Sequence, residues 1–295
     1  MKRIFSGIML IVLILTGSSS ARVWYVKPDS TGAAINIQAG IDSCAAGDTV
    51  VALPGVYRGD GNWDIDFKGK PIVVMSGSSF DAAVMDSTMI DCQNAHRAFC
   101  FHSNEDSSSV LKGFVIQWGN VEMPSKGGGI YCMSSSPTIA NNRIRFCYAF
   151  GGGSGISCVD SSPKIVGNRV HRCTSPYSGA GMLCEGGSPY IVDNRIYDND
   201  CTMRYNSGAG LSCSGCTSLR VIGNKIYGNS GGSNYTRITA GGYSDLDRGT
   251  LRMSSLMAPG GVSIGASDGI IDGNTITHNG GELEIWGGQH IGHHK

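Results

Sequence analysis

Gly127-Gly128-Gly129-Ile130-Tyr131-Cys132, Pro137-Thr138-Ile139 and Asn142-Arg143-Ile144 return in the same order as Ile156-Ser157-Cys158, Pro163-Lys164-Ile165 and Asn168-Arg169-Val170. They return again as Met182-Leu183-Cys184, Pro189-Tyr190-Ile191 and Asn194-Arg195-Ile196, then more loosely as Leu211-Ser212-Cys213, Leu219-Arg220-Val221 and Asn224-Lys225-Ile226. The step from Asn142 to Asn168 to Asn194, and from Cys132 to Cys158 to Cys184, is 26 residues. A fixed period of this size marks a repeat architecture. Each unit holds three short apolar-alternating runs separated by Gly, Ser, Pro and Asn, with no room for a helix, so the runs read as strands.

A chain that winds as a coil returns each strand beside its copy one turn later, about 4.8 Å away, and pairs it in parallel. The product is a solenoid in which each turn touches only its neighbours. Identical residues then stack into columns: one of Cys, one of Pro, and one of Asn142, Asn168, Asn194, Asn224 and Asn274. Stacked Asn side chains hydrogen-bond one another and the turn backbone, so a polar residue can occupy an interior corner. With these columns the chain resembles the right-handed parallel β-helix proteins of the pectin-lyase-like superfamily. That resemblance implies an all-β, right-handed parallel β-helix solenoid with a short N-terminal capping helix, and it speaks to fold rather than activity.

Outward from the repeats, Lys2 and Arg3 precede an apolar run from Ile8 to Leu15 and the small residues Ser19-Ser20-Ala21. Residues 1–21 therefore read as a secretory signal peptide, the apolar run being too short to span a membrane. The expected location is secreted, periplasmic or at the cell surface, with no membrane contact after cleavage. Residues 22–47 hold a first strand at Trp24-Tyr25-Val26 and a helix capped by Asn36, with Ile37, Ile41, Cys44 and Ala45 on one face and Gly47 past its end. Such a helix covers the apolar core and strand edges at the open end of the first coil. Residues 48–295 form the coils. The segment from Asp48 to Tyr57, with Ile37-Gln38 and Ala46-Gly47-Asp48 ahead of it, resembles the entry to many secreted β-helix proteins.

Early strands are expected at Ile65-Asp66-Phe67, Ile72-Val73-Val74, Met89-Ile90-Asp91, Phe99-Cys100-Phe101 and Leu111 to Ile116. Gly113, Phe114, Ile116 and Gly119 fall in register with Asn141, Asn142, Ile144 and Cys147, 28 residues on. From Asn224 to Asn274 the step is 50, and the surplus reads as an inserted loop at about 231–258 or as one degenerate coil; its lack of alternation favours the loop. After Ile285-Trp286 no capping element follows, so a partner or missing sequence is expected to cover that end. His290, His293 and His294 have no acidic or Cys ligand spaced with them and read as a tail, not a metal site.

The chain carries 23 basic and 23 acidic residues, and loss of Lys2 and Arg3 leaves 21 against 23. No global field attracts nucleic acid or a membrane. Eleven cysteines in an exported chain would suggest disulfides. Yet Cys132, Cys158, Cys184 and Cys213 occupy an inward column continued by Ile264, at a spacing slightly beyond disulfide Cβ geometry, and read as buried small hydrophobes. Cys147 and Cys173 share a second column with Asn199, Asn229 and Asn279, while Cys213 and Cys216 lack the second pair that a metal site needs.

If Asn142 and Ile144 point inward, Arg143 and Arg145 point outward. Stacking then lays Arg143, Arg169, Arg195 and Lys225 in one outward file and Arg145, His171, Tyr197 and Tyr227 in the file beside it. Guanidinium groups pair with carboxylates and flat rings pack on sugar faces, so these eight residues are the candidate site for an acidic polysaccharide or cell-surface glycan. The same files also suit a bland role, keeping an exposed sheet soluble and unpaired. Ala140, Val166, Val192 and Ile222 make an apolar file next to the corner.

The superfamily includes pectate and pectin lyases, polygalacturonases and chondroitin-type lyases, so the resemblance implies a carbohydrate-active enzyme as one reading. Hydrolysis needs two carboxylates, and lyase chemistry a base near the uronate α-carbon, often with Ca²⁺. The chain has no Asn-Thr-Asp, Asp-Asp or Gly-His-Gly motif and no calcium-site acidic cluster. Asp193, Asp198 and Asp200, and Asp245 and Asp247, fit turn chemistry. No catalytic residue and no metal site are assigned, and no cofactor is expected, Ca²⁺ entering only under the lyase alternative. The favoured expectation is an exported, non-catalytic glycan-binding or structural module; the alternative is a polysaccharide lyase or glycoside hydrolase. Convergence of acidic and basic side chains at one place distinguishes the two.

Overall fold

Residues one period apart lie side by side: Cys132 faces Cys158, Cys158 faces Cys184, Cys184 faces Cys213 and Cys213 faces Ile264 in parallel register. The structure is a computed structural model that describes residues 20–77, 87–203, 208–231, 235–239, 250–251, 255–257, 262–277 and 282–286. The expected signal peptide, apart from its last two residues, lies outside them, as do Asp245, Asp247, Asn279 and the histidine tail. The described strands form three sheets, A, B and C, of 17, 9 and 5 strands. The result is a parallel β-solenoid.

One regular coil runs through Ile130–Met133 and Thr138–Ala140 in sheet A, Arg143–Arg145 in sheet B and Tyr148–Ala149 in sheet C. Sheet C is new relative to the sequence reading. Its strands are two residues long, too short to show alternation.

Sharp corners separate the strands. Asn141, Gly167, Asp193, Gly223 and Gly273 take positive φ at one, and Trp118, Phe146, Arg172, Asp198 and Gly228 at the next. The left-handed region favours Gly and tolerates Asn and Asp. At Gly167 space matters too, since a Cβ there would run into the Asn141 carboxamide.

Just past the first corner the Asn column is fully buried. Asn142 Nδ2 donates to Asn168 Oδ1 at 3.1 Å, Asn168 to Asn194 at 3.1 Å, Asn194 to Asn224 at 2.9 Å and Asn224 to Asn274 at 3.0 Å. Each of these Oδ1 atoms also accepts the preceding member's backbone N–H. The Nδ2 groups donate as well to strand carbonyls, from Leu111 through Ile139, Ile165 and Ile191 to Val221. Phe114 N–H donates to Asn142 Oδ1 at 3.0 Å, so the register reaches one coil earlier, 28 residues back.

All eleven cysteines are free and ten are buried, Cys100 being the half-exposed exception. Contact with the thiol of the preceding coil, together with burial, pushes Cys158, Cys184 and Cys213 well above the ordinary thiol range, and they stay protonated. They pack as small apolar groups. The earlier coils use rings instead, with Tyr57, Phe67, Phe99, Phe101 and Phe114 wholly inside.

The helix spans Ile37–Ser43, and Asn36 Oδ1 accepts the Ala39 N–H at 2.7 Å. Ile37, Ile41 and Cys44 are buried, but Ala45 is exposed because the chain has already turned to extended backbone at Cys44. Gly40 lets the helix settle on the first strands, where a Cβ would stand 3.1 Å from Val50 Cγ1 and 3.3 Å from Val26 Cγ2.

Within the expected inserted loop, the described pieces Tyr235–Thr239, Thr250–Leu251 and Ser255–Met257 are strands. Thr275–Thr277 lies between Lys225–Tyr227 and Ser255–Met257, so these pieces stack beyond the coil that carries Asn274. Strands of two to five residues leave little alternation to read.

Candidate functional site

The outward face of sheet B brings all eight expected residues together. Arg143, Arg169, Arg195 and Lys225 share one register position, and Arg145, His171, Tyr197 and Tyr227 the position two residues on. The two files reach back through Val115 and Gln117 to Met89 and Asp91, and continue in register at Thr275 and Thr277. Arg143 and Arg169 are half-buried while Arg195 and Lys225 are exposed. Among the described residues no carboxylate forms an ion pair with Arg169, Arg195 or Lys225.

The rings differ from the expected sugar platform. His171 and Tyr197 stack with centroids 4.7 Å apart and planes 3° from parallel, and Tyr197 and Tyr227 at 5.0 Å and 4°. In-register strands sit about one ring spacing apart, so each ring covers its neighbour's face and no sugar fits between. Ring edges and phenol hydroxyls are what this file offers.

His171 is only 7% exposed, tucked between Tyr197 and Phe146, whose centroid is 6.3 Å away. Neither ring nitrogen has a hydrogen-bond partner among the described residues. Burial first, then the nearby charges of Arg143, Arg172, Arg145 and Arg169, hold its pKa down to about 4, so the imidazole is neutral at neutral pH. Arg145 is a brace, its Nε and Nη2 donating to Gln117 Oε1 at 3.1 and 2.9 Å.

The neighbouring corner adds residues that the strand pattern did not flag. Trp118, 43% exposed, stacks on Phe146 at 4.9 Å and 14°, and the Arg172 guanidinium lies 5.7 Å from the Phe146 centroid. Their steps of 28 and 26 residues were the available signal, the same steps that align the strands.

A second place lies over the first strand of sheet C, an open cleft of about 500 Å³ lined by Asp64, Asn94, His96, Arg97, Asn120 and Glu122 among others. His96 Nδ1 is 3.0 Å from Asp64 Oδ2, and the imidazole stacks on Trp63 at 4.1 Å and 15°. Arg97 donates through Nε to Gly127 O at 2.7 Å and through Nη2 to Lys126 O at 2.8 Å, which ties the cleft's far wall down. Asn120 Nδ2 donates to Asn94 O at 3.2 Å, but its Oδ1 is buried without a partner. A histidine oriented by a carboxylate beside a further carboxylate is a workable acid–base arrangement. These side chains come from separate coils at unequal spacing, and no repeat-based reading joins them.

Asp193 and Asp198 sit at different corners, and Asp200 accepts the Ser230 hydroxyl at 2.7 Å, so the three do not converge. Among the described residues no group of three or more His, Cys, Asp or Glu side chains is placed to hold a metal ion. Ala140, Val166, Val192 and Ile222 stand in register and half-buried beside the corner. A family model described as "Right handed beta helix region" matches residues 71–244, more than half of the chain. No curated protein and no solved structure gives a match.

Proposed function

The chain belongs to the right-handed β-helix family, and from that premise we propose that it is an exported, non-catalytic module that binds acidic polysaccharide along the outward face of sheet B. The observation that carries this reading is the register of Arg169, Arg195 and Lys225, cations one coil apart with no carboxylate partner among the described residues. A linear array of like charges on a rigid sheet repels itself, and a polyanion laid along it relieves that repulsion. Bidentate guanidinium contacts supply the grip, assisted by the outward edges of Tyr197 and Tyr227.

A second reading, a carbohydrate-active enzyme, is favoured by the Asp64–His96 pair and Glu122 around the cleft. The two separate on a panel of acidic and neutral polysaccharides, with and without Ca²⁺, scored for retention, new reducing ends and ultraviolet absorbance of unsaturated ends. Binding without cleavage, lost in an Arg169→Gln/Arg195→Gln variant, is the expected result. Cleavage that disappears in His96→Ala would replace it with the second reading.

A further inference from the structure

We propose that Trp118 is a sugar-stacking platform just upstream of the sheet B cations, so that this face selects polymers built of sugar rings over other chains of negative charge. The proposal rests on the reading of sheet B as the polymer-binding face and adds the residue that gives it specificity. Trp118 directly follows Gln117, the member of the second outward file that braces Arg145. Its ring stacks on Phe146 at 4.9 Å and 14°, which anchors it from one side, and 43% of the residue stays open. Among the described residues its indole N–H donates to no acceptor. Such a ring, anchored on one side and open elsewhere, with a free donor at its edge, suits a pyranose, whose flat side is C–H and whose rim is hydroxyl.

The backbone favours a functional reading over chance exposure. Trp118, Phe146 and Arg172 take φ of +56°, +54° and +55° in three successive coils, where Asp198 and Gly228 hold the same place in the next two. Left-handed backbone suits Gly and Asp and opposes bulky side chains, and such outliers gather at functional sites. At Phe146 the contacts offset the strain, since Trp118 lies against the ring and the Arg145 and Arg172 guanidinium groups are 5.5 and 5.7 Å from its centroid. Trp118 has Phe146 alone as a ring or cation neighbour among the described residues. The charges are within reach of the same ligand. Arg172 is exposed and without an ion pair among the described residues, and Arg169 stands two coils, about 10 Å, along the axis from Trp118. A chain lying on Arg169 runs only those two coils upstream to bring one of its rings to Trp118. Tyr197 and Tyr227 cover each other's faces, so Trp118 supplies the ring contact that they do not.

The test compares retention of the full chain on immobilised alginate and chondroitin sulfate, polymers of acidic sugar rings, with retention on poly-L-glutamate, a carboxylate chain without rings, at equal ionic strength. Wild type should bind at least one sugar polymer about ten-fold more tightly than polyglutamate. Trp118→Ala should lose that preference and Trp118→Phe should restore part of it, with thermal unfolding recorded for each to establish that it is folded. Tryptophan emission gives a second readout: the better-retained sugar polymer should change the emission of wild type but not of Trp118→Phe, in which Trp24, Trp63 and Trp286 remain. A preference unchanged in Trp118→Ala, or an emission change that survives in Trp118→Phe, overturns the platform. A single-stranded DNA oligonucleotide retained above both sugar polymers, and lost in Trp118→Ala, also overturns it and assigns the ring to a base. Equal retention on all three polymers, lost only in Arg169→Gln/Arg195→Gln, leaves the basic face standing without the platform. A sugar preference that needs Trp118 but survives in Arg169→Gln/Arg195→Gln keeps the platform and removes the basic file.

Discussion

Between Tyr57 and Phe114 the core is filled by rings, Phe67 lying 4.7 Å from Phe101 and Phe99 6.0 Å from Phe114. From Ile130 to Ile226 it is filled by columns of Ile, Cys and Asn. Rings that interlock at varied angles fit only particular neighbours, so each early coil differs from the next. Small residues in register make any coil an acceptable neighbour for its copy. The surfaces follow suit. Irregular coils leave a cleft at Asp64 and His96, and regular coils leave a straight face in which one side-chain type follows another.

The comparison breaks most visibly at Phe99. Its wholly buried ring meets Phe67 and Phe114, and Phe99→Ala should lower unfolding stability by about 3–5 kcal/mol, measured by denaturant titration. A loss near 1 kcal/mol would mean that the early core collapses as readily as a column does. In the regular half, Asn168→Leu deprives the Asn142 N–H of its acceptor and the Ile139 carbonyl of a donor. The expected loss is about 3 kcal/mol, and unchanged thermal unfolding would show that apolar filling alone holds these coils together.

Acid sharpens the contrast on the outer face. The folded pKa of His171 is held to about 4, below the ordinary 6.5, so the unfolded chain binds the extra proton first. Its contribution is therefore fully present above pH 6.5 and is lost as the pH falls towards 4, by up to about 3 kcal/mol. His171→Phe should flatten that part of the stability profile relative to wild type. Parallel profiles for the two proteins would mean that the ring protonates freely in the folded chain. The smallest effect belongs to Arg169→Gln, a half-buried outward residue without an ion pair among the described residues, at roughly 0.5 kcal/mol or less.

What the sequence made legible follows from the same contrast. Every column from Cys132 to Asn274 could be placed from its spacing, because residues one period apart are neighbours whatever their chemistry. The Arg143 and Arg145 files followed from parity. Parity is silent on what sits on top of a residue, however, so the burial of His171 by Phe146 and the face-to-face stacking of Tyr197 and Tyr227 had to come from three-dimensional spacing. The cleft was illegible for a stronger reason. Asp64, His96 and Asn120 lie on coils of unequal length, and only the path of the chain brings them together.

Backbone bonds between coils point both ways along the solenoid, Arg169 N–H donating back to Asn142 O while Asn141 N–H donates forward to Val166 O. The Asn carboxamides do not alternate. From Asn142 to Asn224 each Nδ2 reaches forward to the next Oδ1, so their dipoles add along the axis with the positive pole at the coil of residues 262–277. Peptide-like amides carry about 3.5 D each, and aligned chains of them polarise one another. The molecule thus has an electrical polarity that its sheets alone would lack. A duplicated 26-residue coil bearing Asn would lengthen that dipole, whereas a coil without Asn would divide it into two shorter, weaker ones.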